Sequence, residues 1–235
     1  MILRNAFLAL VLFFVVAFMS CGTDPQEKAV PTPVNPDLVD PAQDGEGEGS
    51  GLTEDYSNTY REIWQKPDLV LQLLGGLKGK TVADIGAGSG FFTFRMIESA
   101  DKVIAIDVDP RFINYLDSVK VRRLPENLQP KLETRLTTPD SPALQNEEVD
   151  VVVIVNTFMY IENHPNYLRI LKKGMKEGGK LLIIDFKKKR TPVGPPSDIR
   201  QPLFVVENEL YDAGYKNILT NDTALDYQYI VIAEK

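Results

Sequence analysis

From residue 53 onward, hydrophobic residues alternate between short continuous runs and longer segments whose apolar positions recur three or four residues apart. Short continuous runs are typical of buried strands, and the longer spacing is typical of helices. The predicted strands span residues 81–85, 102–107, 132–137, 149–155, 180–185, 216–221 and 227–233. The predicted helices span residues 53–64, 69–74, 91–99, 110–121, 164–176 and 204–213.

This alternation predicts an α/β fold in which helices cover a mostly parallel sheet of seven strands. Residues 149–155 are almost entirely Val and Ile, as expected for a central strand that is buried on both faces. The last two strands would be joined by a turn at Asn221 and Asp222.

The N-terminus has a different character. Residues 1–21 contain an apolar run that is too short to span a bilayer comfortably and suits a signal peptide or lipid-anchor segment. The run ends at Cys21, the only cysteine, in a context that resembles the lipobox of bacterial lipoproteins, although Phe18 stands where a smaller aliphatic residue is usual. This resemblance implies a membrane-anchored lipoprotein of the cell envelope. An uncleaved anchor with an incidental cysteine is the alternative.

Residues 22–52 are rich in Pro, Gly and acidic side chains, which predicts a disordered linker and leaves residues 53–235 as one domain. Residues 1–55 carry 9 acids and 2 bases, whereas residues 56–235 carry 24 of each. The net charge of -7 therefore belongs to the N-terminal segment, and the balanced domain predicts no nucleic-acid partner. A single cysteine also predicts no cysteine-based metal site, and we expect a monomer.

A glycine-rich turn follows the first predicted strand, with glycine at positions 86, 88 and 90 and Asp84 two residues before the first. Glycine allows a sharp turn and a close approach of the backbone to a ligand. A dinucleotide site would show Gly-x-Gly-x-x-Gly and bare amides for a pyrophosphate, whereas a carboxylate at this point suits a cationic group better. A nicotinamide-dependent oxidoreductase is therefore the weakest interpretation.

A second acid, Asp107, ends the next predicted strand about twenty positions after the turn. A carboxylate in this place can accept both hydroxyls of a ribose. A strand-end or cap residue is the alternative. Asp109 is expected to cap the helix that begins at Pro110.

With these motifs, residues 56–235 resemble the class I S-adenosylmethionine-dependent methyltransferases, which have a Rossmann-like seven-stranded sheet whose last strand is antiparallel. The resemblance implies S-adenosylmethionine as cofactor and a small-molecule methyl acceptor. It places around the methionine part of the cofactor Asp84, Gly86, Ala87, Gly88 and Gly90. It also implies that Asp107 holds the ribose and that Asp140 meets the adenine amino group, although the Pro139-Asp140 pair is also an ordinary turn signal.

The same resemblance places Asn156 near the cofactor, at the carboxyl end of the central strand. Tyr160 and Asp185 are the catalytic candidates, since either could accept or orient a proton of a hydroxyl or amine acceptor. His164 precedes Pro165 at a helix start, where capping or solvent exposure is expected rather than catalysis.

Two flanking segments also resemble parts of this family's site. A segment before Pro67 resembles an N-terminal helix that folds over the cofactor mouth, through Tyr60, Arg61, Trp64 and Gln65, and a simply packed amphipathic helix is the alternative. The basic segment 187–190, followed by a proline-rich stretch, could form a lid or contact an anionic substrate, or could be a solvated charge run.

An exported lipoprotein and a cytoplasmic cofactor do not combine routinely. Either the anchor leaves the domain in the cytoplasm, or the cofactor reaches the envelope, or the domain is an exported, membrane-anchored binding module without turnover. The sequence predicts a methyltransferase, with the non-catalytic binding module as the alternative.

Overall fold

The computed structural model describes residues 61–235. They form a seven-stranded sheet with the strand order β3-β2-β1-β4-β5-β7-β6. The strands are β1 (Thr81–Ile85), β2 (Lys102–Asp107), β3 (Leu132–Leu136), β4 (Val149–Val155), β5 (Met175–Phe186), β6 (Lys216–Asn221) and β7 (Gln228–Glu234). Neighbours among β1 to β5 pair in parallel, and β7 runs antiparallel to both β5 and β6. The predicted Rossmann-like sheet with an antiparallel last strand is confirmed.

Six α-helices connect or flank the strands of this region: α1 (Arg61–Gln65), α2 (Pro67–Leu74), α3 (Thr93–Met96), α4 (Pro110–Arg123), α5 (His164–Gly174) and α6 (Leu203–Asp212). Proline stands at the first position of α2 and α4, where its missing N–H has no intrahelical partner to lose. The side chain of Asp109 accepts a hydrogen bond from the Arg111 amide at 2.8 Å. Asp109 therefore caps α4, as the sequence predicts.

The core lies on both faces of the sheet, because side chains along a strand point alternately to opposite sides. In β4, Val151 and Val153 join the cluster that packs against α2 and α4, whereas Val152 and Ile154 join the cluster that packs against α5 and α6. This two-sided burial explains why the strand is almost purely aliphatic.

Two elements differ from the sequence-based expectation. The helix expected at 91–99 is helical only over Thr93–Met96, and the chain then turns, with the Met96 carbonyl accepting the amides of Ser99 and Ala100 at 3.1 and 2.9 Å. The strand expected at 180–185 begins instead at Met175. Residues 176–179, which are polar or Gly, fit into the strand because the pairing with β4 shifts register between Val149 and Val151.

Within residues 61–235, no helix is long and apolar enough to cross a membrane. The predicted lipid-anchor segment with Cys21, the predicted linker and most of the first predicted helix lie outside the described residues. These three remain predictions.

Candidate functional site

The glycine turn is tied to the neighbouring strand by backbone hydrogen bonds. The amides of Gly86 and Ala87 both donate to the Ile106 carbonyl of β2, at 2.8 and 3.1 Å. Gly86, Gly88 and Gly90 have φ angles of 74°, 53° and 86°. These left-handed conformations disfavour any residue with a side chain, so the turn requires glycine.

The three glycines differ in what surrounds them. A Cβ at Gly86 would lie 2.1 Å from Thr157 Oγ1, and a Cβ at Gly90 would lie 2.4 Å from the Phe94 ring. A Cβ at Gly88 would meet no atom within 4 Å. Gly86 and Gly90 are therefore required by internal packing, whereas the backbone at Gly88 borders open space that a ligand can use.

Asp107 faces this same point of the turn. Its Oδ2 accepts the Gly88 amide at 2.8 Å, and its Oδ1 accepts the Asp109 amide at 2.9 Å. Burial raises the pKa of the Asp107 carboxyl, and hydrogen bonds from the amides of Asp109, Gly88 and Val108 oppose that shift. A carboxylate can accept more hydrogen bonds than these amides supply, so Asp107 retains acceptor capacity for further donors such as ribose hydroxyls.

Asp84 lies buried beneath the turn. Its Oδ2 accepts the Thr93 hydroxyl at 2.6 Å. Burial raises the pKa of Asp84 to about 6, while the Thr93 hydroxyl and the positive charge of Arg61 act against that shift. Asp84 is therefore largely a carboxylate at neutral pH, as a partner for a cationic group must be.

Arg61 brings α1 over the turn. Its guanidinium lies 4.2 Å from the ring centroid of Phe91, a cation–π distance. Burial lowers the pKa of Arg61 to about 9, and the nearby Asp84 carboxylate opposes the change. The N-terminal helix thus places a cation next to the acid that precedes the glycine turn.

Beyond Asp107, two apolar side chains are exposed in a way that sequence reasoning missed. Val108 and Leu136 are 52% and 55% exposed, and the Thr137 amide donates to the Asp107 carbonyl at 3.0 Å. The signal in the sequence is a single apolar residue at each place, Val108 directly after Asp107 and Leu136 at the end of the otherwise largely polar β3. Asp140 lies on the exposed loop after β3, where it accepts the Thr138 hydroxyl at 2.6 Å.

Asn156 follows β4 in a left-handed conformation with φ 59°. Its side-chain oxygen accepts a hydrogen bond from Gln228 of β7, and Gln228 in turn accepts one from the buried Gln65 of α1 at 3.1 Å. This three-residue chain links α1 to the carboxyl end of the central strand. The sequence gives no sign of it, because it depends on the packing of residues far apart in the chain.

Both catalytic candidates involve the short 3-10 turn Phe158–Tyr160, since Tyr160 is its last residue and Asp185 contacts its backbone. Tyr160 is 54% exposed. Asp185 is fully buried, and its Oδ2 accepts the Met159 amide at 2.9 Å. Burial raises the pKa of Asp185 to about 8, and hydrogen bonds from backbone amides oppose the shift. Asp185 thus holds the turn that carries Tyr160.

Asp185 also has an unusual cross-strand neighbour. Tyr229 of β7 stands directly opposite Asp185 in the β5–β7 pair. Asp185 Oδ1 and the Tyr229 hydroxyl are both buried and have no hydrogen-bond partner among the described residues. A buried polar atom without a partner costs about 1–3 kcal/mol, so this pair destabilises the domain.

His164 is buried, in contrast to the expected capping or solvent exposure. Its Nδ1 lies 2.8 Å from Glu209 of α6, its Nε2 lies 2.9 Å from the Phe158 carbonyl, and its ring stacks on Phe158 at 4.1 Å. The capping role belongs to Asn163, which accepts the Asn166 amide at 3.3 Å. His164 therefore braces the Phe158–Tyr160 turn at Phe158.

The basic loop that follows β5, residues 187–202, is organised by one buried arginine. The guanidinium of Arg200 donates to the carbonyls of Lys187 at 3.1 Å, Lys189 at 2.9 Å and Pro195 at 2.8 Å, and to the Thr191 hydroxyl at 2.8 Å. Arg200 also lies 5.2 Å from the ring centroid of Phe186. The loop is consequently a defined structure rather than a loose charge run.

The part of the chain covered by the structure contains no group of three or more His, Cys, Asp or Glu side chains that could hold a metal ion.

Comparison with known proteins gives a consistent result. A family model described as a methyltransferase domain matches residues 77–223. The tRNA U34 carboxymethyltransferase of Shewanella frigidimarina is 29% identical over 125 residues, which is 53% of this chain and 36% of that protein. The protein of the same name from Shewanella baltica is 31% identical over 125 residues. The match thus spans little more than a third of the length of these curated relatives.

Solved structures match over a larger part of the chain. A SAM-dependent methyltransferase from Aquifex aeolicus has a TM-score of 0.67 at 26% identity, covering 80% of this chain and 98% of that one. Phosphoethanolamine N-methyltransferase 2 of Haemonchus contortus, solved with phosphomonomethylethanolamine and S-adenosylhomocysteine, has a TM-score of 0.60 at 14% identity, covering 81% of this chain and 60% of that one. The second likeness concerns the fold alone.

Proposed function

The chain belongs to the family of class I S-adenosylmethionine-dependent methyltransferases, and we propose that it transfers a methyl group from S-adenosylmethionine to a small-molecule acceptor. The observation that carries this proposal is the hydrogen bond of 2.8 Å between the Gly88 amide and Asp107 Oδ2. It joins the open point of the glycine turn to the carboxylate that ends the next strand. A pocket built this way fits a ligand with a sugar at one end and a charged amino acid at the other.

Each residue of the pocket has a proposed part. Asp107 would accept the ribose hydroxyls, and Val108 and Leu136 would offer apolar contact to the adenine. Asp84 would attract the amino group of the methionine part. The chemistry that S-adenosylmethionine supplies when bound is an electrophilic methyl group on a sulfonium. Transfer of this group to a nucleophile needs little covalent help from the protein.

The acceptor side of the site would lie around Tyr160. Holding a nucleophile in line with a methyl group can supply about 7–11 kcal/mol of the barrier, so positioning is the main task of these residues. The exposed Tyr160 hydroxyl would orient or accept the acceptor proton. Asp185 would act through the Met159 amide by fixing the turn that carries Tyr160.

Isothermal titration of the full-length chain with S-adenosylmethionine tests the cofactor assignment. The wild-type chain should bind, and Asp107→Ala should weaken binding by about tenfold or more because two charge-assisted hydrogen bonds are lost. Asp107→Asn tests the same point in a variant that keeps the size of the side chain. Asp109→Ala is the matched control, since it removes a carboxylate two residues away that caps α4 and should leave the affinity within about twofold. Equal affinity of wild type and both Asp107 variants would remove Asp107 from the site.

A second measurement tests turnover. The chain is incubated with S-adenosylmethionine carrying a labelled methyl group, together with a small-molecule extract or, separately, with tRNA. Label in the small-molecule fraction is the expected result. Label in tRNA would contradict the small-molecule acceptor, and binding of S-adenosylmethionine without any transfer would favour the membrane-anchored binding module.

A further inference from the structure

The loop of residues 187–202, which follows the carboxyl end of β5, borders a cleft of about 850 Å³. The cleft has the size of a small-molecule site. Its position follows from the fold, because the loop leaves the carboxyl end of β5 and Arg200 interacts electrostatically with Tyr160. The cleft therefore lies beside the residue that we place next to the methyl acceptor.

The cleft is strongly positive. Its lining includes Lys188, Lys189, Arg190 and Arg200, with Asp198 as the one acidic side chain among the described lining residues. Lys188 donates to the Asp198 carbonyl at 3.3 Å, which occupies part of its hydrogen-bonding capacity. Lys189 and Arg190 are exposed, and neither forms an ion pair within the described chain. Two cations at the cleft thus remain available to an anionic ligand.

The loop also holds these two cations in place. The Arg200 guanidinium binds the Lys189 carbonyl directly and the Thr191 hydroxyl just beyond Arg190, so the backbone on both sides is fixed. Gly194 lies so close to Phe186 that a Cβ there would come within 2.4 Å of the ring. A loop that is fixed before a ligand arrives loses little conformational entropy on binding, which favours affinity.

We propose that this cleft binds an anionic group of the methyl acceptor, a phosphate or a carboxylate, through Lys189 and Arg190. The inference rests on the proposed function and adds to it the chemical class of the acceptor. Arg190 suits this role because its guanidinium can donate two parallel hydrogen bonds to a phosphate or carboxylate. The anionic group belongs to a soluble metabolite or to a lipid headgroup, and binding to phosphate and to lipid vesicles separates the two sources.

The test uses the full-length chain and inorganic phosphate, followed by the phosphorus NMR line width at constant ionic strength. Saturable broadening in the millimolar range is expected for the wild type. The double variant Lys189→Glu/Arg190→Glu should raise the dissociation constant by about tenfold or more, since charge-assisted hydrogen bonds are replaced by repulsion. The control variant Arg122→Glu/Lys173→Glu makes the same change in net charge at two other exposed residues and should alter the constant by less than about twofold.

Two further checks decide how the result is interpreted. Fluorescence of Trp64, the only tryptophan, reports that the base of the loop is intact in each variant, because its ring centroid lies 5.6 Å from that of Phe186. Affinity for S-adenosylmethionine should be the same in both double variants. If the wild type binds S-adenosylmethionine but not phosphate, this inference alone is overturned. If the wild type does not bind S-adenosylmethionine, the proposed function is overturned.

The remaining outcomes are equally informative. Absence of saturable broadening in the wild type, or equal loss in the two double variants, overturns the proposal. If the wild type sediments with phosphatidylglycerol vesicles and Lys189→Glu/Arg190→Glu does not, the anion belongs to a lipid headgroup. If the wild type binds phosphate but does not sediment with the vesicles, the anion belongs to a soluble acceptor. If single-stranded RNA displaces phosphate, and its affinity falls steeply with salt concentration, the ligand is a polyanion and the proposal is overturned.

Discussion

The pKa values of acidic side chains shift in opposite directions at the two ends of the parallel strands. Near the amino end of β4, Asp150 accepts hydrogen bonds from the Lys176 ammonium and the Thr81 amide, each at 2.8 Å. Burial of Asp150 would raise its pKa, but these donors outweigh burial and hold the pKa below its usual value. At the carboxyl ends, burial dominates and raises the pKa of Asp84, Asp107 and Asp185.

This difference separates a carboxylate that stabilises the fold from buried carboxylates that lower its stability. Asp150 is already paired with Lys176 within the protein, so it has little capacity to bind further partners. A buried carboxylate with a raised pKa destabilises the folded state at neutral pH and is common where a protein binds or reacts. The carboxyl edge is also where open α/β sheets bind their ligands.

The largest effect is expected from the glycine turn. Gly86→Ala should destabilise the domain by about 3 kcal/mol or more, because it combines a left-handed conformation with a collision at Thr157. Gly88→Ala should cost about 1 kcal/mol, since its Cβ meets only open space. Urea unfolding of both variants measures the difference. Equal losses of stability would mean that the packing of Thr157 against the turn is not as described.

Ligand binding by the Gly88→Ala variant gives a second test of the glycine turn. Gly88→Ala places a methyl group in the space that we assign to the cofactor, so its affinity for S-adenosylmethionine should fall by about tenfold. Unchanged affinity in a folded Gly88→Ala chain would show that this space lies outside the binding site.

A smaller effect, with a definite pH dependence, is expected for Asp185→Asn. The pKa of Asp185 is raised to about 8, so between about pH 4 and pH 8 the unfolded chain ionises this group while the folded chain keeps its proton. The wild type therefore loses stability as pH rises through that window. Asp185→Asn removes the loss and should be more stable by about 2 kcal/mol at pH 8, measured by urea unfolding. Near pH 4 this advantage should disappear. A stability difference that does not change with pH would contradict the protonated state of Asp185.

The smallest effect is expected for Asp150→Asn, the matched variant near the amino edge. Its lowered pKa contributes stability above the unfolded pKa, and that contribution is lost as pH falls through the folded pKa. Removing the ion pair with Lys176 should cost less than about 1 kcal/mol at neutral pH. The cost should vanish in acid, which is the opposite trend to Asp185→Asn. Parallel pH profiles of the two variants would abolish the distinction between the two edges.

Much of the sheet could be predicted from the sequence. The bounds of β1, β2 and β4 agree with the prediction, because strands covered on both faces are mostly apolar and stand out from the polar segments around them. The early start of β5 could not be predicted, since residues 176–179 are polar or Gly and join the strand through a register shift. The short extent of α3 could not be predicted either, because apolar residues continue past its end at Met96.

The candidate site divides in the same way. The turn at Gly88 and the facing Asp107 could be predicted, because two neighbouring parallel strands bring their carboxyl ends together. The link from Gln65 through Gln228 to Asn156 depends on where β7 pairs and how α1 packs. The burial of His164 against Glu209 depends on the packing of α6 against α5. Such long-range contacts have no local sequence signal.

The position of β7 has a consequence for how the domain is made. β7 lies between β5 and β6, although it follows both in the chain. During synthesis the edge of β5 therefore stays open while the intervening residues emerge, and an unpaired hydrophobic strand edge is a template for aggregation. Pairing of β5 with β7 also closes a long loop, which slows folding. A nascent chain that is interrupted before Gln228 would be a substrate for chaperones or proteases, even though its cofactor-side strands were already complete.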